Sequence, residues 1–311
     1  MAIKARAAAI FGTLAVAAAA PPGHVFGFRR DPALRARLLA SGAQQETAAV
    51  QASEESPLLS TAFDSRERWP GCIHPIRDQG QCGSCWAFGT SEAFSDRLCI
   101  ASAGRINVVL SVEQLLDCNV FGLESSCAGG DQATASEYII AKGLVSDECY
   151  PYTKRHGGNA SKCRKQCSSN TPTNRSWVPH KAKAGSLRWL VTERGIQQEI
   201  LARGPVVSCF EVYSDFQKAG DGRVYSHGPN ATRKKSGGLG DSGHCIKVLG
   251  WGVQPPNAST AGTHAATPYW LIANSWSASW GVLGGYFKMV RGANEGNIER
   301  EAFSLQPELA S

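Results

Sequence analysis

A mixed α and β globular protein is what the sequence predicts, on three observations. Hydrophobic residues make up 42% of the 311-residue chain and charged residues 19%, enough apolar material for a core and too few charges for disorder. Past the glycines at 80 and 83, Trp86, Ala93, Phe94 and Leu98 recur at helical spacing. In the second half, Ile246–Gly252 reads as a buried strand and Tyr269–Ala273 as another. At this length one large domain or two small ones can each bury a core.

Taken from its start, the chain opens with Lys4 and Arg6, followed by an uncharged Ala-rich stretch from Ala7 to Ala20. A basic start, a weakly apolar run and an Ala-x-Ala exit describe a secretory signal over residues 1–20, too short to span a bilayer. No other segment approaches a membrane span. Residues 21–58 are free of cysteine and largely polar, with a short helix expected from Arg29 to Ala40. They read as a removable pro-segment, which leaves 59–311 as the working domain. The stretches 153–176, 228–241 and 254–267 read as exposed loops or insertions. Four Asn-x-Ser/Thr sites, Asn159, Asn174, Asn230 and Asn257, agree with secretion.

The 32 Lys+Arg against 26 Asp+Glu give a net charge of +6 that is not gathered into runs, which argues against nucleic-acid binding. Of the 11 cysteines, nine fall between Cys72 and Cys167, and density of this kind points to an oxidising compartment. Structural zinc would favour paired knuckles, and only Cys82–Cys85 has that spacing, so no metal is expected. An odd total leaves at least one thiol unpaired.

The strongest signal is Gln79-Gly80-Gln81-Cys82-Gly83-Ser84-Cys85-Trp86-Ala87-Phe88. The two glycines make a tight turn, so Cys85 stands at the start of a helix, where unpaired N–H groups and the dipole favour a thiolate. The competing reading is a Cys82–Cys85 redox pair, which would want a strand directly before it and a small βαβ domain. A thiolate nucleophile needs a base, a group to orient the base, and donors for an oxyanion. His244 heads one predicted strand, beside small residues that permit close approach. Asn274 ends the other, where its amide can hold an imidazole in one tautomer.

In this order these residues resemble the papain family of cysteine proteases, within it the cathepsin B branch. Phe63-Asp64-Ser65-Arg66-Glu67-Arg68-Trp69-Pro70, Ser91 to Ile100, Val212-Tyr213-Ser214-Asp215-Phe216 and Gly250-Trp251-Gly252-Val253 extend the likeness over nearly all of residues 59–303. The resemblance implies an α+β, two-lobed papain-like fold. A helical lobe, mainly 72–165, would carry Cys85, a β-barrel-like lobe, mainly 166–300, would carry His244 and Asn274, and the active-site cleft would lie between them. It implies attack by Cys85, proton transfer by His244, orientation by Asn274 under the cover of Trp276, and an oxyanion hole of Gln79 and the Cys85 amide. Gly129 and Gly130 would pair with substrate main chain, against the plain alternative of an ordinary turn. Cys245 would line the pocket for the side chain two residues before the cut, and Glu301 would form its acidic floor.

The resemblance further implies the disulfides Cys72–Cys99, Cys82–Cys127, Cys118–Cys163 and Cys149–Cys167, with Cys209 and Cys245 as unpaired thiols. Only 13 residues separate Cys149 from Cys163, with His156 alone among them, so the branch's disulfide-closed occluding loop and its two histidines are missing. An endopeptidase with little dipeptide-releasing activity is therefore expected, needing no cofactor. It would act on polypeptides, be open to inhibitors of the cystatin type, be monomeric, and travel the secretory pathway to a lysosome or vacuole, with secretion as the alternative. An inactive binding protein and a disulfide oxidoreductase are the readings from other classes.

Overall fold

The computed structural model describes residues 26–30, 32–33, 35–36, 44–45, 59–119, 126–154, 156–169, 176–234, 243–256 and 266–309. The expected signal, Asn174 and Asn257 lie outside these residues, as do parts of the stretches 228–241 and 254–267. Asn159 and Asn230 are both exposed.

Residues 32–33 and 35–36 are helical, inside the stretch expected to form a short helix, and the described residues form five further helices: α1 (Ser65–Arg68), α2 (Cys85–Ala101), α3 (Val112–Cys118), α4 (Gln132–Ala141) and α5 (Glu193–Arg203). Three of these starts are set by side chains that accept orphan N–H groups: Ser111 from Gln114 at 3.0 Å, Asp131 from Ala133 at 2.8 Å and Thr192 from Gly195 at 3.0 Å. The 17-residue α2 is buried along its whole length to Cys99, so it carries no polar face. Its hydroxyls are bonded instead, Ser91 to the Leu110 carbonyl and Thr90 to the Trp86 carbonyl. At Gly89 a Cβ would lie 3.0 Å from Val207 Cγ2 and 3.3 Å from the Ile246 amide, so its absence lets α2 settle against the sheet.

Among the described residues nine strands make one sheet: β1 (Gln44–Gln45), β2 (Phe63–Asp64), β3 (Arg188–Leu190), β4 (Val206–Glu211), β5 (Val224–Tyr225), β6 (Gly243–Gln254), β7 (Thr267–Ala273), β8 (Tyr286–Val290) and β9 (Ala302–Ser304). The order is β1-β3-β9-β4-β6-β7-β8-β5, with β2 also on β6. Pairing is antiparallel except for β1 on β3 and β5 on β8. Among the described residues this path has two ends and does not close, so the expected barrel is an open, nine-stranded sheet.

Two apolar cores result. One gathers α2, α3 and α4 with Trp86, Phe94, Leu115 and Tyr150; the other fills the sheet side with Phe210, Phe216, Trp251, Trp270 and Phe287. Charges sealed between the two halves add directional contacts. Arg97 of α2 pairs with Glu199 of α5 and donates to the Leu305 and Gly204 carbonyls. Lys247 of β6 reaches Asp96 of α2 at 2.7 Å. No helix of the described residues is long and apolar enough to cross a membrane.

Disulfides join Cys72–Cys99, Cys82–Cys127, Cys118–Cys163 and Cys149–Cys167. A fifth, Cys209–Cys245, overturns the expectation of two further thiols. Its cause is register: antiparallel β4 and β6 set the two residues directly opposite, with Cα atoms 4.0 Å apart.

Candidate active site

Cys85 is the first residue of α2 and the free cysteine among the described residues. The redox pairing is excluded here, because Cys82 is bonded to Cys127. Backbone hydrogen bonds from Cys245 and Gly27 reach the Cys85 sulfur, which is fully buried. The nucleophile candidate is thus joined to the residue that follows His244.

His244 lies one position into β6, opposite Phe210 of β4. Its Nε2 is 2.8 Å from Asn274 Oδ1. That oxygen also accepts the Ser275 amide at 2.9 Å, which identifies it as the carbonyl side of Asn274. Nε2 therefore carries the proton, and the tautomer follows from a main-chain donor just past β7. Aromatic rings close round the imidazole: Trp276 at 4.9 Å, Phe26 at 5.7 Å, Phe210 at 5.8 Å and Phe216 at 6.1 Å between centroids. Gln79 is buried beside them. Its amide nitrogen donates to the Cys82 carbonyl at 2.9 Å, and its oxygen accepts from Ser275 Oγ at 2.6 Å. Gln79 and Asn274 are thereby tied to the same residue, Ser275.

Residues 26–30 lie across this arrangement, a placement the sequence did not disclose. Phe28 bridges Gly243 on one side and Gly130 on the other. The Gly130 amide donates to the Gly27 carbonyl at 2.8 Å, and Arg29 donates to the Gly130 carbonyl at 2.9 Å. The fit depends on missing side chains: a Cβ on Gly27 would lie 1.8 Å from the Gly83 carbonyl oxygen, and one on Gly129 2.6 Å from the Gly27 carbonyl. Under this cover, burial pushes the Cys85 thiol up to about 11 despite its backbone donors. The helix terminus alone would shift it the opposite way. Desolvation outweighs it in the covered state.

Glu301 follows directly on a 3-10 turn and precedes β9, with its side chain 6% exposed and ion-paired to Arg30 at 2.8 Å and Arg35 at 2.6 Å. Burial pushes its carboxyl up, opposed by those two arginines. Its carbonyl accepts from Cys209 at 3.3 Å and from the Gln132 side chain at 3.2 Å, so it adjoins the fifth disulfide.

Residues 59–306 match the family model for papain family cysteine proteases. The chain belongs to this family. Among its papain-family relatives, cathepsin B-like cysteine proteinase 5 of Caenorhabditis elegans is 38% identical over 290 residues, 84% of this chain and 78% of the relative. Cathepsin B-like cysteine proteinase 6 of the same organism is 36% identical, covering 81% of this chain and 68% of the relative. The procathepsin B S9 structure from Trypanosoma congolense superposes with a TM-score of 0.69 at 29% identity, covering 92% of this chain and 87% of that one. The chain is therefore a cathepsin B-like member of the papain family, with a papain-like α+β fold.

Proposed function

We propose that the chain is the zymogen of a cysteine endopeptidase that cuts polypeptides through an acyl-enzyme thioester. One observation carries the reading: a free thiol at a helix start, bonded to the main chain next to an imidazole whose tautomer Asn274 fixes. Cys85 Sγ attacks the scissile carbonyl carbon. With Nε2 engaged by Asn274, His244 Nδ1 exchanges the proton, giving it to the leaving amine and then taking one from the water that releases the acyl group. Gln79 Nε2, which donates to the Cys82 carbonyl, joins the Cys85 amide in holding the oxyanion. Losing one such donor costs on the order of 3 kcal/mol of transition-state stabilisation. Trp276 shields the His244–Asn274 bond, and Gly129 and Gly130 offer main chain to the substrate.

Residues 21–58 are the pro-segment in this reading, and residues 26–30 block the cleft until they are removed. Their departure uncovers Cys85, relieves its desolvation, and lets the helix terminus and His244 favour the thiolate. Glu301 then faces the side chain two residues before the cut, so arginine is accepted there, with Cys245 in the neighbouring wall. Asn159, Asn174, Asn230 and Asn257 are candidate glycan sites, and delivery is to a lysosome or vacuole. The short Cys149–Cys163 interval, with His156 exposed, supports internal cleavage over dipeptide release.

The test is digestion of a denatured protein by the matured enzyme, with an epoxysuccinyl inhibitor counting active Cys85. Internal cuts with stoichiometric labelling are expected. Stepwise loss of dipeptides from the C-terminus would overturn the endopeptidase reading, and absence of both cutting and labelling would overturn catalysis.

A further inference from the structure

The fifth disulfide lies against the reacting sulfur. Cys209 and Cys245 are both buried and stand directly opposite each other in the pairing of β4 with β6. At this rung the two strands exchange no main-chain hydrogen bonds, because each N–H turns away from the partner strand. The Cys209 amide donates to the Glu301 carbonyl at 3.3 Å, and the Cys245 amide donates to Cys85 Sγ. That second N–H is available because β7 stops short of it: pairing of β6 with β7 begins at Lys247, opposite Ala273. A longer β7 would have taken the donor into the sheet. The helix that carries Cys85 comes close at the same place, since a Cβ on Gly89 would lie 3.3 Å from the Ile246 amide. Gln132 of α4 packs on the bridge, with Oε1 3.9 Å from Cys245 Sγ and Nε2 donating to the Glu301 carbonyl at 3.2 Å.

Burial dominates the Cys85 thiol, and main-chain N–H groups oppose it: Cys245 first, then Gly27, Trp86 and Cys85 itself. The Gly27 donor departs with residues 26–30, and the last two belong to α2. Cys245 then supplies the donor from the sheet side, one residue from the imidazole of His244. A hydrogen bond to an anion is strong but weakens steeply as its angle closes, so a donor aimed at a thiolate counts most where its strand cannot pivot. A sulfur–sulfur bond across a rung that has no hydrogen bonds supplies that stiffness. We propose that the Cys209–Cys245 disulfide is a positioning element of the matured enzyme, holding the Cys245 N–H on Cys85 Sγ where it stabilises the thiolate. The inference rests on the protease reading. It makes Cys209, one strand removed from the sulfur, a determinant of that sulfur's reactivity.

Alkylation of the matured enzyme by iodoacetamide, followed as a function of pH, titrates Cys85 without requiring catalysis. Cys209→Ala with Cys245→Ala keeps the amide and removes the tether, and Cys209→Val with Cys245→Val does so while filling the buried space. Cys118→Ala with Cys163→Ala is the control, opening a disulfide of longer separation, 45 residues against 36, that α3 carries. The titratable groups around the bridge, His244 on β6, Glu301 before β9 and Asp131 before α4, are unaltered in every variant. In both sheet variants the Cys85 titration should move up by about half to one pH unit, an about three- to tenfold smaller thiolate fraction below it. The acid limb of kcat/KM should move equally, and the control should move neither. A titration that stays in place in either folded sheet variant, or that moves as far in the control, would overturn the positioning role while leaving the protease reading intact. A parent enzyme that alkylates at Cys85 yet neither cuts peptides nor takes the epoxysuccinyl label would overturn the protease reading, and the inference with it.

Discussion

Glu92 offers the most quantitative test of the interior. It lies on α2 one turn before Asp96, and both face Lys247 on β6. Asp96 is satisfied, accepting from the His74 amide at 2.9 Å, from His74 Nδ1 at 2.7 Å and from Lys247 at 2.7 Å. Glu92 is buried with no hydrogen-bond partner at Oε1. Lys247 and His74 are thus spent on Asp96, and Glu92, with no hydrogen-bond partner at Oε1, holds a proton. Burial accordingly pushes Glu92 from 4.5 to about 7, against the pull of Lys247 and Arg77. A raised folded value stabilises fully below the unfolded one and loses that stability as pH rises through the folded value. The rise is linked to about 3 kcal/mol, lost between about pH 4.5 and 7. Glu92→Gln keeps the shape and removes the titration. In a Cys85→Ala background, which prevents self-cleavage, the variant should melt with a constant offset near pH 4. By pH 8 it should gain about 6–12 °C on the parent, at about 2–4 °C per kcal/mol. Scanning fluorimetry from pH 4 to 8 reads this directly. A gap that stays constant across the range, or closes as pH rises, would refute the assignment of the proton to Glu92.

Replacing both Cys209 and Cys245 by alanine should lower stability by up to about 4 kcal/mol, the chain-entropy value for a 36-residue separation, seen as a lower denaturant midpoint. Alkylation of Cys85 by iodoacetamide in the intact chain should be slow at neutral pH and rise only toward about pH 11, because burial favours the thiol; fast labelling at pH 7 would contradict the covered state. Asn274→Ala should lower kcat/KM about 10²-fold per labelled Cys85 by freeing the imidazole to turn, with the melting temperature separating this from unfolding.

Much of the site is legible in sequence because its parts are local. The turn before Cys85, the helix after it, and the strand segments 246–252 and 269–273 rest on short-range periodicity and glycine chemistry, and α2, β6 and β7 contain them. What sequence reading misses depends on tertiary register or burial. Cys209 is expected as an unpaired thiol; the pairing of β4 with β6 makes it a buried disulfide partner of Cys245 instead. The direction of the Cys85 shift fails likewise, since a helix terminus is visible in sequence and the segment lying over it is not. Lys247 was readable in principle. A lysine inside an apolar strand demands a buried anion, and Glu92 and Asp96, one turn apart on a helix with no polar face, are the pair to suspect.

The bareness of the main chain beside Cys85 lets the chain cover itself. Gly83 and Gly129 leave main chain exposed to whatever lies above, and Gly27 passes where its own Cβ would strike the Gly83 carbonyl oxygen. What Gly27 turns toward the sulfur is its amide N–H, a donor that bonds to Cys85, and not the carbonyl carbon a thiolate would attack. The Gly27 carbonyl is spent on the Gly130 amide. A segment in this orientation occupies the Cys85 thiol without offering it an electrophile. Phe26 against His244 and Arg30 and Arg35 on Glu301 hold it in register from both ends. Cover of this kind needs few residues, because the contacts fall on His244, Cys85 and Glu301 in turn. A described stretch as short as 26–36 can therefore cover a cleft that serves a domain many times its length.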